Sequence, residues 1–165
     1  MLRKVKIAID AMSGDHAPKK ILDGIKLALQ KNQELSFFLY GQQNILEKEI
    51  DKNKSIIKHC EIINTKDIIL DNESPFSAAK RGKESSMWKS IESQITDKCE
   101  ISLSAGNTGA LLIMSKLILK TINGLNKPAL AGLWPNSNNM NVVLDLGANV
   151  ECNEKNLLDF SSMGS

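Results

Sequence analysis

Short apolar runs alternate with amphipathic segments along the whole chain, and this alternation limits the folds open to it. Strands are predicted over residues 5–10, 35–40, 60–64, 100–104, 128–133 and 141–145. Helices are predicted from residue 18, over 43–52, from 74–75, over 84–98 and 108–120, and from Asn153 onward. Parallel strands need long crossover connections, which are usually helices. The sequence therefore predicts an α/β fold with a largely parallel sheet, formed by residues 1–165 as a single domain.

Three of the predicted strands end in polar, glycine-containing turns, and each turn is predicted to lead into a helix. The turns cover residues 10–18 (DAMSGDHAP), 104–110 (SAGNTGA) and 144–151 (LDLGANVE). In parallel α/β sheets, ligands bind outside the carboxyl ends of the strands. Glycine lets backbone approach a ligand closely, and the start of a helix offers unpaired N–H groups that favour anions. The turns therefore predict a phosphate-type site, with 104–110 as its best candidate.

Net charge, cysteine content and missing motifs argue against several other classes of protein. A net charge of +2 without a basic tract gives no support for nucleic-acid binding. Three scattered cysteines and two histidines predict neither disulfides nor a metal site, and they suit a reducing cytoplasm. The longest apolar stretch, 110–119, is too short to cross a bilayer, and the start has no signal-peptide pattern. The nucleotide-binding and serine-hydrolase glycine motifs are also missing.

Six segments in the same order make the chain similar to one family. They are DAMSGDHAP, SSM at 85–87, SAGNTGA, KPALA at 127–131, LDLGANVEC at 144–152 and MGS at 163–165. Together they resemble the bacterial phosphate acyltransferase family. The family usually has glycine where this chain has Ser13, and its members continue well beyond residue 165.

The resemblance implies a fold and a reaction. The fold would be the three-layer α/β/α architecture of isocitrate and isopropylmalate dehydrogenases, truncated here to the amino-terminal part of a longer domain. The reaction would be attack of inorganic phosphate on the thioester of acyl carrier protein, without a cofactor. The resemblance also implies a homodimer in the cytoplasm, peripheral at the inner membrane face beside a membrane glycerol-3-phosphate acyltransferase.

The predicted site residues come from the three turns and one nearby lysine. Catalytic roles are predicted for His16, Asn107 and Asn149. Phosphate or substrate binding is predicted for Gly14, Asp15, Ser104, Gly106, Asn107, Thr108, Gly109, Gly147 and Lys83. Asp10 and Asp145 are predicted to orient their loops. Asp15 is included for its place in the turn, although like charges disfavour its direct contact with phosphate.

Several alternatives stay open at this point. Arg81 and Lys83 could contact the acidic carrier protein or phosphate, or could be a solvated helix start. His16 could donate a proton or simply hold its loop. We expect Cys152 to be a small buried residue rather than an acyl-carrying thiol. We also expect the apolar helix 108–120 to be core rather than an acyl groove, with its apolar side chains at Leu111, Leu112, Ile113, Met114, Leu117 and Ile118.

Other functions also fit the pattern. The chain could be a related enzyme of the same fold, such as a phosphate acetyltransferase that uses coenzyme A or a nicotinamide-dependent dehydrogenase. It could also be an inactive fragment that keeps partial binding of phosphate or of carrier protein. We expect the 165-residue chain alone to lack site residues that the rest of a family member would supply.

Overall fold

The computed structural model describes residues 4–96 and 98–165, and contacts divide the chain into two compact units, Met1–Leu119 and Lys120–Ser165. Each unit is described separately. In the first unit, the strands are β1 (Val5–Asp10), β2 (Leu35–Gly41), β3 (Cys60–Asn64) and β4 (Ile101–Leu103). Its helices are α1 (Lys19–Lys31), α2 (Gln43–Ile50), α3 (Pro75–Arg81), α4 (Ser86–Ile95) and α5 (Thr108–Leu119), with 3-10 segments at Asp51–His59 and Gly82–Glu84.

The four strands of the first unit form one parallel sheet. Their order is β3-β2-β1-β4, and every neighbouring pair is parallel. The register pairs Asp10 with Tyr40 and Ile9 with Leu103, so β1 and β4 end side by side. The prediction of an α/β fold with a largely parallel sheet is confirmed. This register brings the turn after β1 and the turn after β4 to the same edge of the sheet.

Helices pack on both faces of this sheet because side chains along β1 alternate in direction. Ile7 and Ile9 join the buried side chains of α1 and α2 in one apolar cluster. Ala8 belongs to a different cluster with Tyr40 and Cys99. On that second face, α4 packs against β1 and β2.

A third apolar cluster joins α3, α4 and α5. It contains Met87 and Ile91 of α4 together with Ala110 and Met114 of α5. The rest of α5 is less enclosed, and Leu117 is 57% exposed. The expectation that α5 is core is therefore correct for its inner face and wrong for Leu117, because α5 packs on one side only within the described residues of this unit.

Local signals at helix ends account for the bounds of α3 and α4. Pro75 occupies the first turn of α3, as predicted, but the Ser74 hydroxyl makes no capping hydrogen bond. The start of α4 lies two residues later than predicted, because Ser85 Oγ accepts the Trp88 N–H at 3.2 Å and caps the helix. The Ser85 hydroxyl in turn donates to the Gly82 carbonyl at 2.5 Å.

The second unit contains an antiparallel hairpin and one helix. Strands β5 (Gly132–Pro135) and β6 (Met140–Val143) pair in register from Gly132–Val143 to Pro135–Met140. Helix α6 (Glu154–Gly164) begins after Asn153, as predicted, in a reciprocal capping arrangement with Asn156. The predicted strand 128–133 is wrong by several residues. The Leu130 N–H donates to the Asp145 carboxylate at 2.9 Å rather than to a neighbouring strand.

None of the described helices is long and apolar enough to cross a membrane.

Candidate functional site

Hydrogen bonds join the turns that follow β1 and β4. Asp10, the last residue of β1, is fully buried, and its Oδ2 accepts the Ser104 hydroxyl at 2.8 Å. Ser104 Oγ accepts the Gly106 N–H at 3.1 Å. The other carboxylate oxygen of Asp10 accepts the Met12 N–H at 3.4 Å. Asp10 therefore bonds to both turns, and the Ser104 hydroxyl and the Gly106 N–H are already used within the protein.

Two glycines allow these turns to approach closely. Gly14 has a φ of +92°, and a Cβ added there would lie 2.9 Å from the Ala105 carbonyl oxygen. A Cβ on Gly106 would lie 2.5 Å from the Cβ of Ser13. Both distances are too short for a real side chain. Glycine at these positions is therefore required by the contact between the turns.

Asn107 organises the start of α5. Its Oδ1 accepts the Ala110 N–H at 2.9 Å, which caps the helix. Its amide nitrogen donates to the carbonyls of Asp71 at 3.0 Å and Glu73 at 2.8 Å. Both ends of the side chain thus make structural bonds, which leaves little capacity for the predicted catalytic contact.

Thr108 and Gly109 supply the donors that remain at this helix start. Neither N–H donates to a protein acceptor among residues 4–96 and 98–165. Thr108 is exposed and Gly109 is partly exposed, so a ligand can reach this end of α5. Unpaired N–H groups at a helix start carry positive partial charge and attract anions.

The other predicted residues of the first unit lie at or near the surface. His16 has a φ of +61° and is exposed, as is Asp15, and neither side chain has a hydrogen-bond partner within the described part of the chain. Lys83 is exposed in the 3-10 segment before α4. No described hydrogen bond or ion pair joins Lys83 to either turn.

The guanidinium of Arg81 belongs to an ion-pair network and is not a free cation. Its Nε donates to Glu73 Oε1 at 2.6 Å and one terminal nitrogen to Glu73 Oε2 at 2.5 Å, while the other terminal nitrogen contacts Asp67. The hydrogen bond from Arg81 lowers the pKa of Glu73 below its usual value. Arg81 is exposed to solvent, and its guanidinium also binds two carboxylates.

The turn after β6 lies in the second unit and has its own network. Asp145 accepts N–H groups of Leu130 at 2.9 Å and Asn149 at 2.8 Å, as well as the Asn149 amide at 3.0 Å. Burial alone would raise the pKa of Asp145, but these hydrogen bonds outweigh it and the pKa is lowered. The Gly147 N–H donates to the Asp145 carbonyl at 2.9 Å. That N–H is therefore used internally, like the Gly106 N–H.

A cavity of about 660 Å³ in the second unit includes two of the predicted residues. Asp145 and Asn149 lie on its wall together with Cys152 and side chains of α6. Cys152 is exposed, so the expectation that it is buried is wrong. It follows the LDLGANV turn instead of entering a strand or helix, which leaves it at the surface.

An apolar groove of about 270 Å³ borders the site in the first unit. It runs between α1 and the ends of β1 and β4, and Asp10 and Ser104 lie on its polar side. Within residues 4–96 and 98–165, no group of three or more His, Cys, Asp or Glu side chains is placed to hold a metal ion.

Sequence reasoning missed two features of this site. Ser13 was treated only as a departure from the usual glycine, yet its side chain is 3% exposed and its hydroxyl has no partner in the described structure. The backbone of residues 71–73, held by Asn107, was also missed, and no local pattern signals a contact across more than thirty residues. The roles predicted for the individual site residues remain predictions.

Comparison with known proteins identifies the family. A family profile described as "Fatty acid synthesis protein" matches residues 5–165. A phosphate acyltransferase of Pelagibacter ubique is 51% identical over 100% of this chain and 49% of its own length. Those of Rhodospirillum rubrum (39% identity, 99% of this chain, 47% of the relative) and Jannaschia sp. (37%, 96% and 44%) are also similar. The chain spans about half the length of these curated relatives. Since the family profile covers nearly the whole chain, and the relatives align with 96% or more of it, the chain belongs to the fatty acid synthesis protein family.

Proposed function

We propose that the chain is part of a phosphate acyltransferase that forms acyl phosphate from acyl carrier protein and inorganic phosphate. A phosphate oxygen attacks the thioester carbonyl carbon, and the carbon–sulfur bond breaks. The electron pair leaves with the sulfur, which takes up a proton to give the free carrier thiol. The names of the relatives and the anion-binding character of the α5 start support this proposal.

The reaction requires the protein to position phosphate, and it does not require a nucleophilic side chain. Phosphate carries between one and two negative charges near neutral pH and can attack by itself. Holding it in line with the carbonyl carbon can contribute roughly 7–11 kcal/mol. One well-placed donor to the developing oxyanion contributes about 3–4 kcal/mol.

The observation that carries the proposal is the pair of interlocked turns in the first unit. They meet through Asp10, Ser104 and Gly106 and present the N–H groups of Thr108 and Gly109 without protein acceptors in the described chain. Phosphate bound there would have favourable contact with the positive end of α5. His16, Asp15 and Lys83 border this region by sequence position and remain candidates for substrate contact.

In the second unit, Asn149 and Gly147 remain candidates for contact with the thioester. Asp145 accepts two hydrogen bonds from Asn149 and one from Leu130, and this suits a loop-orienting role. The Asn149 amide also donates to the Pro128 carbonyl at 2.9 Å. Any contact of the Asn149 side chain with substrate would therefore use its amide oxygen or require an exchange of these bonds.

The finer properties of the family belong to the same proposal. We infer a dehydrogenase-like α/β/α fold, a homodimer, and a cytoplasmic enzyme at the inner membrane face. Acyl carrier protein would be the donor of the acyl group, and a membrane glycerol-3-phosphate acyltransferase would use the product.

A turnover assay with two matched variants tests the proposal. The 165-residue chain is incubated with acyl carrier protein thioester, phosphate and hydroxylamine, which traps acyl phosphate as a hydroxamate. Parallel reactions replace the carrier thioester with acyl coenzyme A, or supply NAD together with a hydroxy acid as the hydride donor. Enzyme-free and phosphate-free reactions measure the direct attack of hydroxylamine on the thioester. If hydroxamate forms above that background, we expect it only with the carrier thioester and phosphate. Preferential use of acyl coenzyme A, or reduction of NAD, would support another enzyme of the same fold instead.

The variants Thr108→Pro and Thr108→Ala locate the phosphate. Proline is tolerated at the first position of a helix, so Thr108→Pro removes the N–H with little disturbance of α5. Thr108→Ala keeps that N–H and removes only the hydroxyl. We expect Thr108→Pro to raise the dissociation constant of phosphate roughly tenfold or more, and Thr108→Ala to raise it less. Equal values for both variants would contradict a backbone contact.

The half-length match supports a second reading, in which this chain keeps a phosphate site but lacks turnover. Phosphate binding without hydroxamate formation would favour that reading. Neither binding nor turnover would reject both.

A further inference from the structure

The Ser13 hydroxyl is a buried donor that the folded chain leaves unused. The side chain is 3% exposed, and its Oγ has no hydrogen-bond partner in the described structure. Buried polar groups almost always find partners, and an exception calls for an explanation such as an absent ligand. Ser13 Oγ lies 3.1 Å from the position that a Cβ on Gly106 would take, so the Ser13 side chain packs against the turn that precedes α5.

The same turn leads to the unpaired N–H groups of Thr108 and Gly109. Helix α5 has 12 residues, so its amino end has the full partial charge of a helix start. Of the other two hydroxyls in the two turns, that of Ser104 donates to Asp10 and is already used, and that of Thr108 belongs to an exposed residue. Ser13 is therefore the one side-chain donor within the two described turns that is both buried and unpaired.

We propose that the Ser13 hydroxyl is a direct ligand of a phosphate oxyanion held at the amino end of α5. The hydroxyl rotates about one side-chain bond, so it turns toward the anion without a change in backbone. A neutral donor screened from water forms a strong hydrogen bond to an anion. This inference rests on the proposed function, because it adds a side-chain ligand to the same anion site.

The test measures binding of inorganic phosphate to the 165-residue chain by calorimetry, at constant ionic strength kept with chloride. The informative variant is Ser13→Ala. The matched control is Thr65→Val, since Thr65 is 5% exposed and its hydroxyl is also unpartnered. Thr65 follows β3, and β2 separates β3 from β1 in the sheet. The control thus removes a similar hydroxyl away from the proposed site.

We expect Ser13→Ala to bind phosphate roughly five- to fiftyfold more weakly than the unaltered chain, and Thr65→Val to bind it equally well. Without phosphate, Ser13→Ala should melt at or above the temperature of the unaltered chain, because it removes an unpaired buried hydroxyl. Ser13→Gly is a second variant for the case in which Ser13→Ala disturbs the turn. It removes the same hydroxyl together with the crowded Cβ, and we expect the same loss of phosphate affinity.

The outcomes separate this inference from the proposed function. If the unaltered chain binds phosphate and both Ser13 variants bind it equally well, the inference is overturned and the phosphate site stands. A clear loss of melting temperature in phosphate-free Ser13→Ala, absent from Thr65→Val, would also overturn it by revealing a structural partner. If the unaltered chain does not bind phosphate, the anion site itself is wrong, and the inference fails with it.

Discussion

Asn107 illustrates how a residue suited to catalysis can be occupied by structure. Its oxygen caps α5 through Ala110, and its nitrogen holds the carbonyls of Asp71 and Glu73. Removal of a helix cap alone costs about 1 kcal/mol. Loss of activity on mutation of Asn107 would therefore not by itself identify a catalytic group, whereas the N–H groups that follow it are free to bind an anion.

Gly106 should tolerate a side chain far less well than Gly24. In Gly106→Ala the new Cβ would meet the Ser13 Cβ at 2.5 Å, whereas a Cβ on Gly24 meets nothing within 4 Å. We expect Gly106→Ala to lower the free energy of unfolding by about 1–3 kcal/mol through overpacking. Gly24→Ala, in the middle of α1, should raise it by about 0.5–1 kcal/mol. Urea denaturation of both variants measures the difference, and equal effects would contradict the close approach of the turns.

The sequence predicted the site residues by type and by turn, but not their contacts. The strand-end positions of Asp10 and Ser104 followed from the apolar runs before them. Their hydrogen bond joins residues 94 positions apart, which no local pattern specifies. The use of the Gly106 and Gly147 N–H groups depends on turn conformation, which the sequence leaves open. The unpaired state of the Ser13 hydroxyl also depends on turn conformation, so the sequence did not predict it.

At the scale of elements, the Arg81–Glu73 pair fixes the segment before α3. Arg81 also donates to the Ile68 carbonyl at 3.1 Å, so one guanidinium holds both ends of this connection. The segment in turn supplies the carbonyls that Asn107 binds at the start of α5. The ion pair thus supports the candidate site from outside.

Acid should weaken this connection. The pKa of Glu73 is lowered in the folded chain, chiefly by the hydrogen bond from Arg81. A lowered carboxyl pKa stabilises the fold above the unfolded value, about 4.3 for Glu, and this stabilisation is lost as pH falls through the folded value. We expect the unfolding free energy of the unaltered chain to fall more between about pH 5 and about pH 3 than that of Glu73→Gln.

A matched control for this pH dependence is Asp23→Asn, on the exposed side of α1. Asp23 is exposed and makes no hydrogen bond or ion pair with its side chain within residues 4–96 and 98–165. Denaturant titrations at several pH values should give the control the slope of the unaltered chain. An unchanged slope in Glu73→Gln would contradict a stabilising role for the ion pair.

The predicted bounds of the strands are correct where the apolar pattern of the sequence is clear. They are wrong where the pairing between strands determines the bounds. The strands β1, β2 and β3 lie within one residue of the predicted bounds, because each is an apolar run closed by a polar turn. In the hairpin of the second unit, Asn136 Oδ1 accepts the N–H groups of Asn138 at 2.8 Å and Asn139 at 2.7 Å. These bonds close a tight turn after Pro135, which moves β5 toward the turn and sets its antiparallel partner.

For the whole molecule, the division into two units predicts where a protease cuts first. Residues 120–131 contain no helix or strand, and Lys120 is exposed with a φ of +64°. Exposed segments of this kind are preferred sites of nicking. We expect limited trypsin treatment to cut first after Lys120, with mass spectrometry finding residues 1–120 and 121–165. In Lys120→Gln these products should disappear, and first cuts inside α1 or α2 would contradict the division.

The position of β4 has a practical consequence for work with the isolated chain. In the described residues, β4 is hydrogen-bonded as a strand to β1 alone, and Ile101 and Leu103 are 44% and 49% exposed. An unpaired apolar strand edge recruits extended segments from other molecules. Concentrated solutions of the chain should therefore form β-rich aggregates, and titrations with substrate are best made on dilute, freshly purified protein.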